Sequence, residues 1–182
     1  MKEILKRDDN LEKIERKENW GDICKYLYER WASEKMNQQF LLRLGTECWY
    51  ILTFWERIPQ EKNPYPRDFF SGLLTESKLF GFNKLDNEPT FLCLYAYMIK
   101  LFPYWFDDFN CDFDKTDLDV CQMLKKAHVI DPSSSVPVYL TGSLLNKDTN
   151  EYQQSKVCIQ DEINCLFPGS SLVDIYFKNI WR

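Results

Sequence analysis

The sequence predicts an all-α fold, an irregular antiparallel bundle of about six to eight helices joined by short links. Apolar residues recur at helical spacing through most of the chain, and prolines and capping residues separate these stretches. The one β-like run, residues 136–140, contains a proline, which disfavours a central strand. With 182 residues, the chain has the length of one domain, so we expect residues 1–182 to form a single α-helical domain.

Two helices are predicted in the first third of the chain. From Trp20 to Trp31 apolar residues follow the i, i+3, i+4, i+7 pattern of one helix face. The second helix should cover residues 37–57, and its apolar face is wide enough to contact more than one neighbour. Ile58 and Pro59 should end it, because the residue before a proline is disfavoured in the α region.

Two further helices are predicted between residues 66 and 103. Pro66 suits the first turn of one helix, and Gly81 is expected to stop that helix at its C-terminus. Asn87 is expected to cap the next helix, which Pro103 should end.

Four more helices are predicted after residue 115. Thr116 and Asp119 resemble a capping box, and the helix that they open should carry Val129 on its apolar face and end before Asp131. A short helix is expected near residues 137–145, followed by helices over residues 149–167 and 171–181. Ser171 is the expected cap of the last one.

Two details suggest a helical repeat. Residues 123–132 resemble the end of the second helix of a tetratricopeptide repeat, where a small Ala and a terminal Asp-Pro recur. Residues 101–103 and 166–168 both read Leu-Phe-Pro. No regular repeat length is found along the whole chain. The predicted fold is therefore an irregular helical bundle or, as the alternative, a set of divergent tetratricopeptide-like helical hairpins.

Composition argues against several classes of protein. The net charge is -5, the pI is about 5.0, and the basic residues near the N-terminus alternate with acidic ones, so no nucleic-acid-binding face is expected. No apolar run approaches the roughly 18 residues of a membrane span, and the N-terminus lacks the apolar region of a secretory signal. We therefore expect a cytoplasmic protein that binds neither nucleic acid nor membrane.

The cysteines and the single histidine argue against metal and cofactor chemistry. Seven cysteines are an odd number with no C-x-x-C pair, so reduced thiols and no zinc site are expected. Cys24, Cys48, Cys93 and Cys165 are flanked by helix-core residues, where a thiol packs as a small hydrophobe. No cofactor is predicted.

No catalytic motif is recognisable, so we expect the protein not to be an enzyme and assign no catalytic residue. His128 would have to serve any catalytic triad, yet no nucleophile motif accompanies it. It is more simply placed on a helix surface near a C-terminal end, where a positive charge is favourable.

The most informative segment is a connector that combines acidic and aromatic side chains. Residues 101–119 contain six aspartates and one cation, Lys115, beside several large rings. Negative charge beside exposed rings is typical of a surface that binds a basic protein. We call residues 104–119 the acidic–aromatic segment. Its predicted partner-binding residues are Tyr104, Trp105, Asp107, Asp108, Phe109, Asp112 and Asp114.

Two other interpretations of this connector stay open. Its alternating polar residues from Asp108 onward resemble a calcium loop, but Phe113 stands where an EF-hand needs Gly, and Asp119 replaces the bidentate Glu. We therefore predict no metal. A plain solvated loop with helix-capping aspartates is the other interpretation.

Three stretches resemble small bacterial immunity proteins of contact-dependent growth inhibition and related polymorphic-toxin systems. They are residues 63–70 (Asn-Pro-Tyr-Pro-Arg-Asp-Phe-Phe), 97–106 (Tyr-Met-Ile-Lys-Leu-Phe-Pro-Tyr-Trp-Phe) and 127–132 (Ala-His-Val-Ile-Asp-Pro). The resemblance implies a cytosolic, non-enzymatic inhibitor that binds one cognate toxin domain, for instance a basic nuclease. The alternative is a helical-repeat-like adaptor that binds a peptide or protein partner.

Overall fold

The computed structural model describes residues 8–17, 19–34, 37–59, 61, 63–109, 116–146 and 148–181. All regular structure within these ranges is helical and none of it is a strand, which confirms the predicted all-α class. The helices are α1 (Asp9–Glu15), α2 (Trp20–Ser33), α3 (Gln38–Thr53), α4 (Arg67–Lys84), α5 (Pro89–Leu101), α6 (Thr116–Ile130), α7 (Val136–Leu144), α8 (Asn150–Leu166) and α9 (Leu172–Ile180), with 3-10 segments at Trp55–Arg57 and Pro103–Phe109.

The chain divides into two compact units. The first unit contains the described residues up to Asn83 together with Phe167–Tyr176, and the second contains Lys84–Leu166 together with the described residues from Phe177 onward. Each unit has its own buried apolar residues. That residues 1–182 form one domain stays a prediction.

In the first unit, α2 packs against α3, and α1 packs against α2. The predicted face of α2 is found, because Trp20, Ile23, Cys24, Leu27 and Trp31 are buried. Tyr28, which was predicted on the same face, is half-buried. Helix α2 starts at Trp20, directly after its N-cap Asn19. The Asn19 side-chain oxygen accepts a hydrogen bond from the Asp22 amide at 3.2 Å, which satisfies one of the unpaired donors of the first turn.

Helix α3 is the most buried element of this unit. It begins after its cap Asn37 and ends at Thr53, and a 3-10 turn then continues to Arg57, so the predicted helix over residues 37–57 is found in two parts. Its wide apolar face is confirmed. The same burial also encloses two charged side chains, Arg43 and Glu47, which lie one turn apart.

Two predicted helix ends are wrong. Gly81 does not stop α4 but lies buried inside it, and the helix continues to Lys84. Gly81 keeps a negative φ, so it never adopts the left-handed conformation of a C-terminal cap. Asn87 does not cap α5, whose first residue is Pro89 and whose N-cap is Glu88. Proline fits the first helical position because its φ is already helical, and this fixes the start one residue later.

In the second unit, α5 is buried along most of its length and packs against α6, α7 and the 3-10 segment Pro103–Phe109. Helix α6 ends at Ile130, before Asp131, as predicted. Val129 was predicted to lie on its apolar face, but the side chain is 79% exposed. The buried positions Leu124 and Ala127 define the inner face of the helix. Val129 follows Ala127 by two residues, and at helical spacing its side chain lies on the opposite face.

The β-like run at residues 136–140 is helical and forms most of α7, which packs against α8. A Cβ built on Gly142 would lie 2.2 Å from the Tyr152 ring, so only glycine permits this contact. Cys165, predicted to lie in a core, is exposed on α8. Consecutive helices α5 to α8 contact each other in chain order. That they form tetratricopeptide-like hairpins stays a prediction.

Candidate functional site

The acidic–aromatic segment begins in the 3-10 helix that follows α5. This helix, Pro103–Phe109, is fixed to the second unit by Phe106, which is fully buried and packs edge-on against Tyr95 with ring centroids 5.9 Å apart. Pro103 explains why α5 stops here, because a proline cannot donate the next helical hydrogen bond. A buried anchor therefore holds the start of the segment in place.

Tyr104 and Trp105 are the two predicted site residues whose side chains can be placed. Tyr104 is 47% exposed, and its ring lies 4.8 Å from that of Trp105 and 5.9 Å, edge-on, from that of Phe102. Trp105 is half-buried. The structure thus brings the two predicted rings together as one small aromatic surface whose outer member is Tyr104.

For the other predicted site residues, the structure describes at most the backbone. Asp107, Asp108 and Phe109 belong to the same 3-10 helix by their backbone. Asp112 and Asp114 lie outside the described residues. That the aspartates and the rings share one surface stays a prediction. His128 is exposed in the last turn of α6, where its interpretation as a surface residue placed it.

Sequence analysis missed a buried ionic cluster in the first unit, centred on Arg43. The guanidinium is 1% exposed and pairs with Asp174 through both terminal nitrogens, Nη1 to Oδ1 at 2.8 Å and Nη2 to Oδ2 at 3.1 Å. Nη2 also donates to Glu15 Oε1 at 3.0 Å and to Ser171 Oγ, and Nε lies 2.7 Å from Glu47 Oε1. We call Glu15, Arg43, Glu47, Ser171 and Asp174 the Arg43 cluster.

The capping box of α9 holds Asp174 in position. The Asp174 amide donates to Ser171 Oγ at 3.1 Å, and Ser171 donates back to Asp174 Oδ2 through its amide at 3.3 Å and its hydroxyl at 2.6 Å. The predicted cap at Ser171 is therefore confirmed. Gly169 leaves room for it, because a Cβ there would lie 2.4 Å from Asp174 Oδ2.

The cluster holds three carboxyl groups and one guanidinium, and all four are largely buried. Burial raises the pKa of Glu47 to about 8, because it outweighs the attraction of Arg43 and adds to the repulsion from Glu15 and Asp174. Burial also raises the pKa of Glu15. Burial by itself would raise the pKa of Asp174 too. The charge of Arg43 and its two hydrogen bonds outweigh this effect and hold the pKa of Asp174 below its usual value. Glu47 thus keeps a proton to a higher pH than an ordinary glutamate, while Asp174 carries a charge that Arg43 neutralises.

A surface cleft opens beside this cluster within the first unit. It has a volume of about 450 Å³ and is lined by Glu12, Glu15 and Arg16 on one wall and by residues 168–172 on the other. A smaller cavity of about 30 Å³, which we call the inner cavity, shares Glu15, Ser171 and Leu172 with the cleft and is also lined by Glu47, Trp20 and Ile23.

One signal in the sequence could have found the cluster. Arg43 and Glu47 are the charged residues one turn apart inside an otherwise apolar helix, and such a pair at buried positions needs partners. Those partners come from α1 and α9, far away in the chain, and no periodicity predicts which residues they are.

Among the described residues, no group of three or more His, Cys, Asp and Glu side chains is arranged to hold a metal ion. No helix in the described part of the chain is long and apolar enough to cross a membrane. The chain matches no protein-family model, no curated protein and no solved structure.

Proposed function

We propose that this chain is a non-enzymatic inhibitor, an immunity protein, that neutralises a cognate toxin domain by binding it through the acidic–aromatic segment. The observation that carries the proposal is the exposed Tyr104 ring, packed on Trp105 at the start of a segment that contains six aspartates. A ring already packed against a half-buried neighbour loses less conformational entropy on binding, and such rings frequently dominate interface energies.

The charge of the segment fits a basic partner. Aspartates around an aromatic centre speed up the approach of a positively charged protein and disfavour wrong partners. Nuclease toxins present basic, phosphate-seeking active sites, so an acidic inhibitor is suited to cover one of them. The net charge of -5 acts in the same direction over a longer distance.

In this proposal the protein works stoichiometrically in the cytoplasm of the producing cell and needs no catalytic residue or cofactor. The buried Phe106 anchor supports it, because it holds the 3-10 helix Pro103–Phe109 in place, and an aromatic contact that is already ordered avoids part of the ordering cost of binding. The resemblance of residues 63–70, 97–106 and 127–132 to immunity proteins supports the same function.

The test starts from the genome. We expect a large toxin gene directly upstream, and its C-terminal domain is the partner to purify. The two proteins should form a one-to-one complex whose association rate falls steeply between 50 and 500 mM salt, and co-expression should restore growth of cells that produce the toxin domain. If the neighbouring toxin domain neither binds this chain nor is neutralised by it, the proposal is wrong.

A further inference from the structure

Two cysteine thiols meet in the core of the first unit. Cys24 on α2 and Cys48 on α3 are both fully buried, and the Cys48 thiol donates a weak hydrogen bond to Cys24 Sγ, with the two sulfur atoms 3.7 Å apart. The sulfur atoms of a disulfide lie about 2.05 Å apart, so these two need to approach by roughly 1.7 Å. Because α2 and α3 pack against each other, they already hold the two thiols close to bonding distance.

The tertiary structure, and not the local sequence, creates this pair. Cys24 and Cys48 are 24 positions apart in the chain, and the packing of α2 on α3 brings their sulfur atoms together. The two exposed cysteines Cys158 and Cys165 are a useful contrast. Both lie on α8, two turns apart, which is about 10 Å along a helix axis, so they cannot form a disulfide with each other.

We propose that Cys24 and Cys48 are a modification site, at which oxidation by a low-molecular-weight disulfide joins α2 to α3 through a buried disulfide bond. The bond closes a loop between residues 24 positions apart, and such a loop restricts the unfolded chain far more than the folded one. Oxidation therefore stabilises the folded first unit. Both cysteines lie in that unit, and the proposal does not rest on the inhibitor function.

The oxidation consists of two exchange steps, written here for glutathione disulfide. One cysteine thiolate attacks this disulfide, whose sulfur–sulfur bond breaks, and one glutathione thiolate leaves. The other cysteine thiolate attacks the mixed disulfide, forms the Cys24–Cys48 bond and releases the second glutathione thiolate. The cysteine pair loses two electrons to the glutathione disulfide, and its two protons pass to the two glutathione thiolates. Burial excludes glutathione and raises the pKa of Cys24, so the reaction proceeds through transient opening of the first unit.

The test identifies which cysteines join. The reduced protein is incubated with glutathione disulfide in urea below the unfolding midpoint, its remaining thiols are blocked with iodoacetamide, and it is digested with trypsin. Cleavage after basic residues gives fragments 18–25 and 44–57, each with one cysteine. Mass spectrometry should find these two fragments joined. Their yield should be at least about fivefold higher than after the same oxidation in fully denaturing urea, because the folded helices hold one thiol beside the other.

Oxidation should also raise the urea midpoint of the parent protein by roughly 1 M or more. Cys24→Ala and Cys48→Ala should abolish this rise. Cys93→Ala removes a buried thiol of the second unit and should leave both the rise and the joined fragments unchanged. The fragment analysis needs only the parent protein, so it decides even where a variant folds poorly. Joined fragments that are missing, or as frequent after oxidation in denaturing urea, overturn the proposal, and so does an unchanged midpoint of the joined protein.

Discussion

Arg43 and Asp174 lie 131 residues apart in the sequence and form a buried bidentate ion pair, with Nη1–Oδ1 at 2.8 Å and Nη2–Oδ2 at 3.1 Å. The pair connects the middle of α3 to the first turn of α9. A guanidinium and a carboxylate that meet this way satisfy several hydrogen-bonding groups at once, which offsets part of the cost of removing both charges from water.

Replacement of Arg43 should destabilise the protein strongly. Arg43→Met keeps most of the side-chain volume but leaves Asp174, Glu15 and Glu47 buried without their cation, and we expect the free energy of unfolding to fall by about 3–5 kcal/mol. Urea denaturation measures it. Arg16→Met is the matched control, since this exposed side chain should contribute less than about 0.5 kcal/mol. Equal midpoints for the two variants would show that the cluster is not stabilising.

Glu47→Gln should make stability less dependent on pH. The pKa of Glu47 is raised in the folded state to about 8 from its usual 4.5, so the folded protein binds an extra proton between these values. This contribution is fully present below pH 4.5 and is lost as pH rises towards 8. Gln does not titrate, so the free energy of unfolding of the variant should equal that of the parent near pH 4.5. Above this pH the variant should become more stable than the parent, by on the order of 1 kcal/mol per pH unit up to about pH 8. Urea midpoints across this pH range measure the difference, and a constant difference contradicts the assignment.

Charge removal in the acidic–aromatic segment should slow the association with the toxin domain. The triple variant Asp107→Asn, Asp108→Asn, Asp112→Asn should bind more slowly at low salt and show a flatter salt dependence, because rim charges act mainly on the association rate. The control variant Glu29→Gln, Glu56→Gln, Asp161→Asn removes the same charge at exposed positions elsewhere. If the first variant binds and protects like the parent at low salt, this segment is not the interface.

Tyr104→Ala should weaken toxin binding without unfolding the protein. The ring is 47% exposed in the unbound protein, so its loss should cost little stability, whereas loss of an interface anchor typically costs about 2 kcal/mol of binding, or roughly 30-fold in Kd. Trp105→Ala should affect both folding and binding, because that ring is half-buried. The stability of this variant must therefore be measured by denaturation together with its affinity for the toxin domain. Leu79→Ala, at a similarly exposed side chain, is the control. Unchanged affinity for Tyr104→Ala would exclude this ring as an anchor.

The cysteines should divide into two classes by reactivity. Cys158 and Cys165 are exposed and should react quickly with a thiol reagent in the folded protein. Cys24, Cys48 and Cys93 should react only after unfolding, since burial blocks access and raises the pKa of Cys24 and Cys93. Titration of the denatured protein without reductant should find all seven thiols. Two or more thiols missing from that titration would reveal a disulfide.

Local signals predicted most of the helices, because helix faces and caps depend on residues a few positions apart. The face of α2, the proline-terminated end of α5 and the Ser171 cap follow from such neighbours. The predictions that Gly81 ends α4 and that Asn87 caps α5 were wrong, because two local signals competed at each position. A glycine also fits inside a helix, and Pro89 set the start of α5 in preference to Asn87.

The sequence by itself determined the all-α class and the position of the aromatic pair Tyr104 and Trp105, since both depend on local order along the chain. Only the tertiary structure decided which side chains surround Arg43 and that a cleft opens beside them. These features arise when α1, α3 and the start of α9 come together. Contact between distant segments depends on the packing of the whole unit, and helical periodicity carries no information about it.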